Sequence, residues 1–156
     1  MNRRFLSALA IAALASPLAG CGDDGPPDYL AIAGGGITFN YRYSQATMVV
    51  VGKQLTPMPE GARVEALFDI PGAKDREVVS RPVMKGKLTY KLESSYLTGI
   101  RKGEPLKVTL RLVAADGQEL DRVETQYTSD VDQSTLPSKP LVDPSKPNYV
   151  PQLENL

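Results

Sequence analysis

The chain has 156 residues, of which 42% are apolar and 23% charged, which is room for one domain of ordinary size. It contains no histidine, no tryptophan and a single cysteine. Histidine-based triads, His-ligated zinc sites, internal disulfides and four-cysteine metal sites are therefore excluded. Lys plus Arg number 18 and Asp plus Glu also 18, a balance that argues against a nucleic-acid binder with a strong global field.

Residues 1–20 read as an export segment and not as part of the fold. Arg3 and Arg4 give a short basic start, and Phe5 to Leu14 is apolar except for Ser7. That stretch is shorter than the roughly 20 apolar residues a membrane-spanning helix needs, and it suits a secretory signal. Ser16 and Pro17 break the helix ahead of Leu18-Ala19-Gly20-Cys21.

This tetrapeptide resembles the lipobox of bacterial lipoproteins: a leucine, two small residues and then the cysteine. The resemblance covers the first 21 residues only. It implies cleavage before Cys21, a diacylglyceryl group on its thiol and a fatty acyl chain such as palmitate on the new terminal amine. Acylation also accounts for an unpaired cysteine in an exported chain. Each buried methylene adds about 0.8 kcal/mol, and two or three chains anchor stably. In this family an Asp directly after the cysteine favours retention in the inner membrane. Gly22 stands there, ahead of Asp23 and Asp24. An anchor in the outer membrane, with the domain facing the periplasm, is what the resemblance implies.

Residues 21–28 then form a polar, turn-rich tether carrying the lipid, residues 29–130 a folded domain, and residues 131–156 a tail. From Tyr29 onward the dominant period is two, with short turn signals between runs, as in a sandwich or barrel. Three glycines, Gly34 to Gly36, precede the first alternating run and mark a bulge or strand switch near a sheet edge. No Lys-Ser/Thr follows them, so they are not a phosphate loop. Thr38 to Tyr43 alternates, with Phe39, Tyr41 and Tyr43 on one face, and Thr47 to Val51 is a compact buried run. Val64, Ala66 and Phe68 share a face, as do Leu88, Tyr90 and Leu92. Leu106, Val108, Leu110 and Leu112 make the longest alternation, and Val123, Thr125 and Tyr127 the last. Asp116-Gly117 between these two is a hairpin signal. No helical period is sustained, so the fold is all-β, with six or seven strands.

Leu97-Thr98-Gly99-Ile100, followed by Gly103 and the alternating run from Leu106, resembles the loop before the penultimate strand of fibronectin type III domains. There an apolar loop residue, here Ile100, plugs the end of the core. Leu106 stands at the usual tyrosine position, so the tyrosine-corner hydrogen bond is missing. The expected fold is an immunoglobulin-like (fibronectin type III-like) β-sandwich of about seven strands.

Five prolines, from Pro137 to Pro151, punctuate the tail and repeat Pro-Ser-Lys-Pro at 137–140 and 144–147. The tail reads as an extended spacer or a strap on the domain, with P-x-x-P recognition as the sharper alternative. Asp130, Asp132 and Ser134 have the spacing that opens a calcium loop. Thr135 and Leu141 replace the required Gly and Glu, so the EF-hand reading fails; a turn is expected, with a looser calcium site at the end of the last strand as the alternative. Arg76, Arg81, Lys85, Lys87 and Lys91 read as a solvated strand face, or alternatively as a patch for anionic headgroups. Ser94 and Ser95 lie near Lys91 without any Ser-x-x-Lys.

No catalytic residue and no cofactor are assigned. The reading is a non-catalytic, lipid-anchored envelope lipoprotein, held in the membrane by acyl chains on Cys21. It meets an envelope protein partner and no nucleic acid. The alternative is a tethered small-ligand or glycan-binding module using end loops such as 71–85.

Overall fold

The computed structural model describes residues 28–142. The expected export segment, Cys21, most of the expected tether and the second Pro-Ser-Lys-Pro repeat lie outside the described residues. Seven strands follow one another: β1 (Leu30–Asn40), β2 (Gln45–Gln54), β3 (Arg63–Phe68), β4 (Glu77–Pro82), β5 (Thr89–Glu93), β6 (Leu106–Val113) and β7 (Glu119–Tyr127). A short helical turn, Gln133–Thr135, comes after them. The strands form two antiparallel sheets, ordered β1-β2-β5 and β4-β3-β6-β7. The chain is thus an all-β sandwich, with its fourth strand beside the third and not beside the fifth.

Alternation builds the core. Met48 and Val50 from β2 and Tyr90 and Leu92 from β5 face Val64, Ala66 and Phe68 from β3 and Val108, Leu110 and Leu112 from β6, all fully buried. Gly52 lets the sheets interlock: a Cβ there would sit 2.5 Å from Leu110 Cδ2 of the opposite sheet. Ile100 is 3% exposed and closes one end of the core, as the fibronectin-like loop implies. The Asp-Gly hairpin forms between β6 and β7: Gly117 has φ +93°, and Asp116 Oδ1 accepts from the Gln118 N–H at 2.9 Å.

Several expectations shift. The Thr47 to Val51 run is buried on one face only, because the outer side of a three-stranded sheet has no second layer over it. The first strand begins earlier and ends at Asn40. Asn40 Oδ1 accepts from the Tyr43 N–H at 3.3 Å, Ser44 takes φ +54°, and the turn leaves Tyr41 exposed and not on the core face. Leu88 falls outside β5 and is 64% exposed. β4 is the strand the hydrophobic pattern did not mark.

The three glycines lie inside β1 and not ahead of it, and the register against β2 shifts between Ile32 and Gly34. That is the expected bulge on an edge strand. Tyr127 of β7 donates to the Gly34 carbonyl at 3.2 Å across the gap between the sheets. At Gly35 (φ +151°), a Cβ would overlap both the Val49 carbonyl oxygen and the Tyr127 hydroxyl. Gly35→Ala is expected to lower stability by about 2–3 kcal/mol through this overlap. Tyr127→Phe, which loses one hydrogen bond, is expected to cost about 1 kcal/mol. Urea denaturation of the three proteins checks the order.

Candidate functional site

The strand directions give the sandwich two ends. At one lie Asp28 and Tyr29, the 55–62 loop, the 83–88 loop and the 114–118 hairpin; at the other lie the 41–44 turn, the 69–76 and 94–105 loops and the segment after β7. β1 runs 11 residues between them, about 35 Å.

The first end holds the incoming chain tightly. Asp121 Oδ2 accepts from the backbone N–H groups of Tyr29 at 2.7 Å and Leu30 at 2.8 Å. The Leu55 N–H donates to the Tyr29 carbonyl at 2.8 Å, and Thr56 Oγ1 donates to the Asp28 carbonyl at 2.6 Å. The start of the described chain is therefore fixed by both sheets.

The far end is covered by the chain's own C-terminal segment. Gln133 Nε2 donates to the Leu97 carbonyl at 2.7 Å, and its Oε1 accepts from the Ile100 N–H at 3.1 Å. Asp132 Oδ1 accepts from the Lys102 N–H at 3.1 Å. The Asp130 to Ser134 stretch is thus a turn with a carboxylate on a backbone amide. Among the described residues no group of three Asp, Glu, Cys or His could hold a metal. Leu136 and Val142 are buried, Ser44 Oγ donates to the Pro137 carbonyl, and the Leu141 N–H donates to the Arg42 carbonyl at 2.7 Å. Residues 131–142 therefore lie strapped across the domain, and the first P-x-x-P is engaged within it.

The outer face of the four-stranded sheet carries a charge network. Glu65, buried on β3, takes Arg63 Nε at 2.6 Å and Arg111 Nη2 at 2.8 Å. Arg111 Nη1 reaches Glu119 at 3.3 Å, Arg122 Nε meets Glu119 at 2.7 Å, and Arg122 Nη1 meets Glu124 at 3.2 Å. Thr109 Oγ1 donates to Glu124 and accepts from Arg76 Nη1 at 2.8 Å. Arg76 also donates to the Leu67 carbonyl at 2.7 Å, and its Nε lies 2.8 Å from Asp69 Oδ1, off hydrogen-bond geometry. Four guanidiniums face four carboxylates, so this network is neutral.

The five basic residues read as one face do not share one. Arg76 belongs to the network, and Arg81 lies on β4. Lys91 pairs with Glu93 at 3.1 Å on the other sheet, and Lys87 stands 5.2 Å above the Tyr90 ring. The loops expected to converge on a ligand, 71–85, do not converge either, because β4 separates 71–76 at the strapped end from 83–85 at the tether end. Ser94 Oγ is engaged with the Met48 N–H and the Ser95 carbonyl, and Ser95 with Glu77. A shallow cleft on the outer face of the three-stranded sheet is lined by Asn40, Tyr43, Gln45, Glu93 and Tyr96.

No family model matches the chain, and no curated protein matches it. Among solved structures, the crystal structure of wild-type OgpA from Akkermansia muciniphila is similar at 17% identity and a TM-score of 0.44, over 70% of this chain and 29% of that one.

Burial works against the charged form of Glu65, but its bonds to Arg63 and Arg111 outweigh it and hold the carboxyl below its ordinary value. Bonding to Arg122 lowers Glu119 in the same way. A carboxyl depressed in the folded state stabilises above its unfolded pKa of about 4.3 and loses that contribution as pH falls through the folded value. Glu65→Gln is expected to cost about 2 kcal/mol at neutral pH, where it leaves two guanidiniums short of a carboxylate. It should also flatten the stability loss below about pH 4.3. Urea midpoints measured from neutral to acid pH check both.

Proposed function

We propose that this chain is a lipid-anchored, non-catalytic lipoprotein of the bacterial cell envelope. Acyl chains on Cys21 hold it in the membrane, with the outer membrane facing the periplasm as its place. The sandwich serves as a rigid spacer and presents its strapped end, with the residues beyond Val142, to a protein partner in the periplasm.

The observation that carries this reading is the polarity of the domain. Tyr29 is clamped at one end, and only residues 22–28 separate it from Cys21. Val142 is clamped at the opposite end, with residues 143–156 and the second Pro-Ser-Lys-Pro still to follow. An anchor at the first end turns the second end away from the lipid. The missing histidine supports a non-catalytic role.

A tethered glycan-binding module is the second reading. Tyr43 and Tyr96, with Asn40, Gln45 and Glu93 between them, offer aromatic and polar groups on one outer face. Tyr96→Ala is then expected to abolish oligosaccharide capture on an array, and a wild-type protein that captures none removes this reading.

Cys21→Ser is expected to lose labelling by palmitate and to move from the membrane to the soluble fraction. A variant that stays in the membrane like the wild type refutes the anchor. For the partner, removal of residues 143–156 is the informative truncation, since it spares buried Leu136 and Val142. It is expected to remove in-cell crosslinks while leaving the urea midpoint unchanged. Retained crosslinks would move the contact onto the sandwich itself.

A further inference from the structure

The end of the sandwich that receives the tether carries an amphipathic patch. Leu55, Met84 and Leu88 are 52%, 56% and 64% exposed. They are neighbours through the backbone. The Gln54 N–H donates to the Leu88 carbonyl at 2.8 Å, and the Lys87 N–H donates to the Met84 carbonyl at 3.1 Å, closing a turn with Gly86 at φ +80°. Lys85 and Lys87 of that turn are exposed, Lys87 with its ammonium over the Tyr90 ring, and Lys53, also exposed, pairs in register with Thr89 beside Leu88. Glu60 faces Lys85 across an open cleft of about 490 Å³ that Met58 and Val83 also line.

Exposed apolar side chains flanked by lysines suit a membrane interface, where the apolar groups enter the headgroup boundary and the ammonium groups stay with anionic lipid. The tether decides which end can get there. The eight Cα steps from Cys21 to Tyr29 reach about 28 Å at full extension. The strapped end lies about 35 Å from Tyr29 along β1, beyond that reach. A stance with the strapped end on the bilayer that holds Cys21 is therefore out of reach, and the end with Leu55, Met84 and Leu88 lies nearest that bilayer.

We infer that this end is a second membrane contact, in which Leu55, Met84 and Leu88 enter the leaflet surface and Lys53, Lys85 and Lys87 meet its anionic headgroups. The inference rests on the anchoring of Cys21 proposed above. Its consequence is a domain that stands upright on the membrane and does not swing on its tether.

The test uses the full acylated chain, purified from membranes and reconstituted in vesicles of phosphatidylglycerol and phosphatidylcholine with a spin-labelled lipid as quencher. Acylation blocks the Cys21 sulfur, so Leu88→Cys or Tyr96→Cys supplies the single free thiol for a polarity-sensitive dye. Tyr96 is 66% exposed near the strapped end and serves as the reference. Quenching and a blue shift are expected for the dye at residue 88 and neither for the dye at residue 96. Adding Lys85→Glu with Lys87→Glu should lower the quenching at residue 88 severalfold, because each basic residue near an anionic leaflet is worth about a fivefold change in partition. Equal quenching at both positions, or water-like emission at residue 88, overturns the contact. Quenching that ignores the lysine changes overturns the headgroup pairing. A chain without palmitate and with a reactive Cys21 thiol overturns the anchoring, and the contact with it.

Discussion

Two backbone N–H groups at the start of the first strand need acceptors, and the Asp121 carboxylate supplies both of them. Tyr29 and Leu30 belong to one sheet and Asp121 to the other, so this single side chain ties the sheets together where the domain begins. A buried or half-buried donor left without a partner costs about 1–3 kcal/mol, so the clasp sets the position of the first strand firmly. The path of the chain into the domain follows from it. With Tyr29 fixed, Leu55 and Thr56 can close on the same backbone. The proposed stance on the membrane depends on that rigidity, since a frayed start would lengthen the proposed tether.

A sandwich without a disulfide or a tryptophan must hold its two sheets by other means. Here the inner faces interlock through Leu110 over Gly52, and the β1–β7 side is sewn by Tyr127 on Gly34. On the β4–β5 side Glu77 receives the Ser95 amide and hydroxyl, and the Tyr90 hydroxyl receives the Met84 amide at 3.3 Å. Outside the four-stranded sheet, the arginine–carboxylate network links residues from all but the edge strand β4. Ahead of the lysine-bearing turn after β4, Arg76 is matched within the network, while Arg81 donates to the Ser80 carbonyl at 2.9 Å.

Most strands were legible because burial on one face imposes alternation on the sequence. Val64, Ala66 and Phe68, or Leu106 through Leu112, can be read directly as core positions, and the structure buries every one of them. β4 escaped because only Val79 packs inward while Val78 is exposed, so no period of two develops. The first part of β1 was hidden by its three glycines, which carry no side chain to show a face. Glu65 sits at an outward position and reads as a solvent residue. Its burial comes from Arg63 and Arg111, and no local pattern reports a partner 46 residues away. The clasp on Asp121 was equally invisible. The strap was half legible: its prolines announced an extended path, but they disguised the buried Leu136 and Val142. The proposed anchor is a different case, because a resemblance to a lipobox rests on contiguous residues and needs no fold.

The Asp121 clasp spans 92 residues in sequence, and that separation bears on how the protein is made. Synthesis delivers the chain from its N-terminus, so β1 and β2 emerge long before the carboxylate that completes them. Until β7 arrives, the start of β1 lacks its acceptor, and the Gly34 to Gly36 segment lacks the tyrosine that crosses to it. The strap comes later still, so the far end of the core stays open until nearly the whole chain is out. The sandwich can therefore close fully only once its last strand and the strap are supplied.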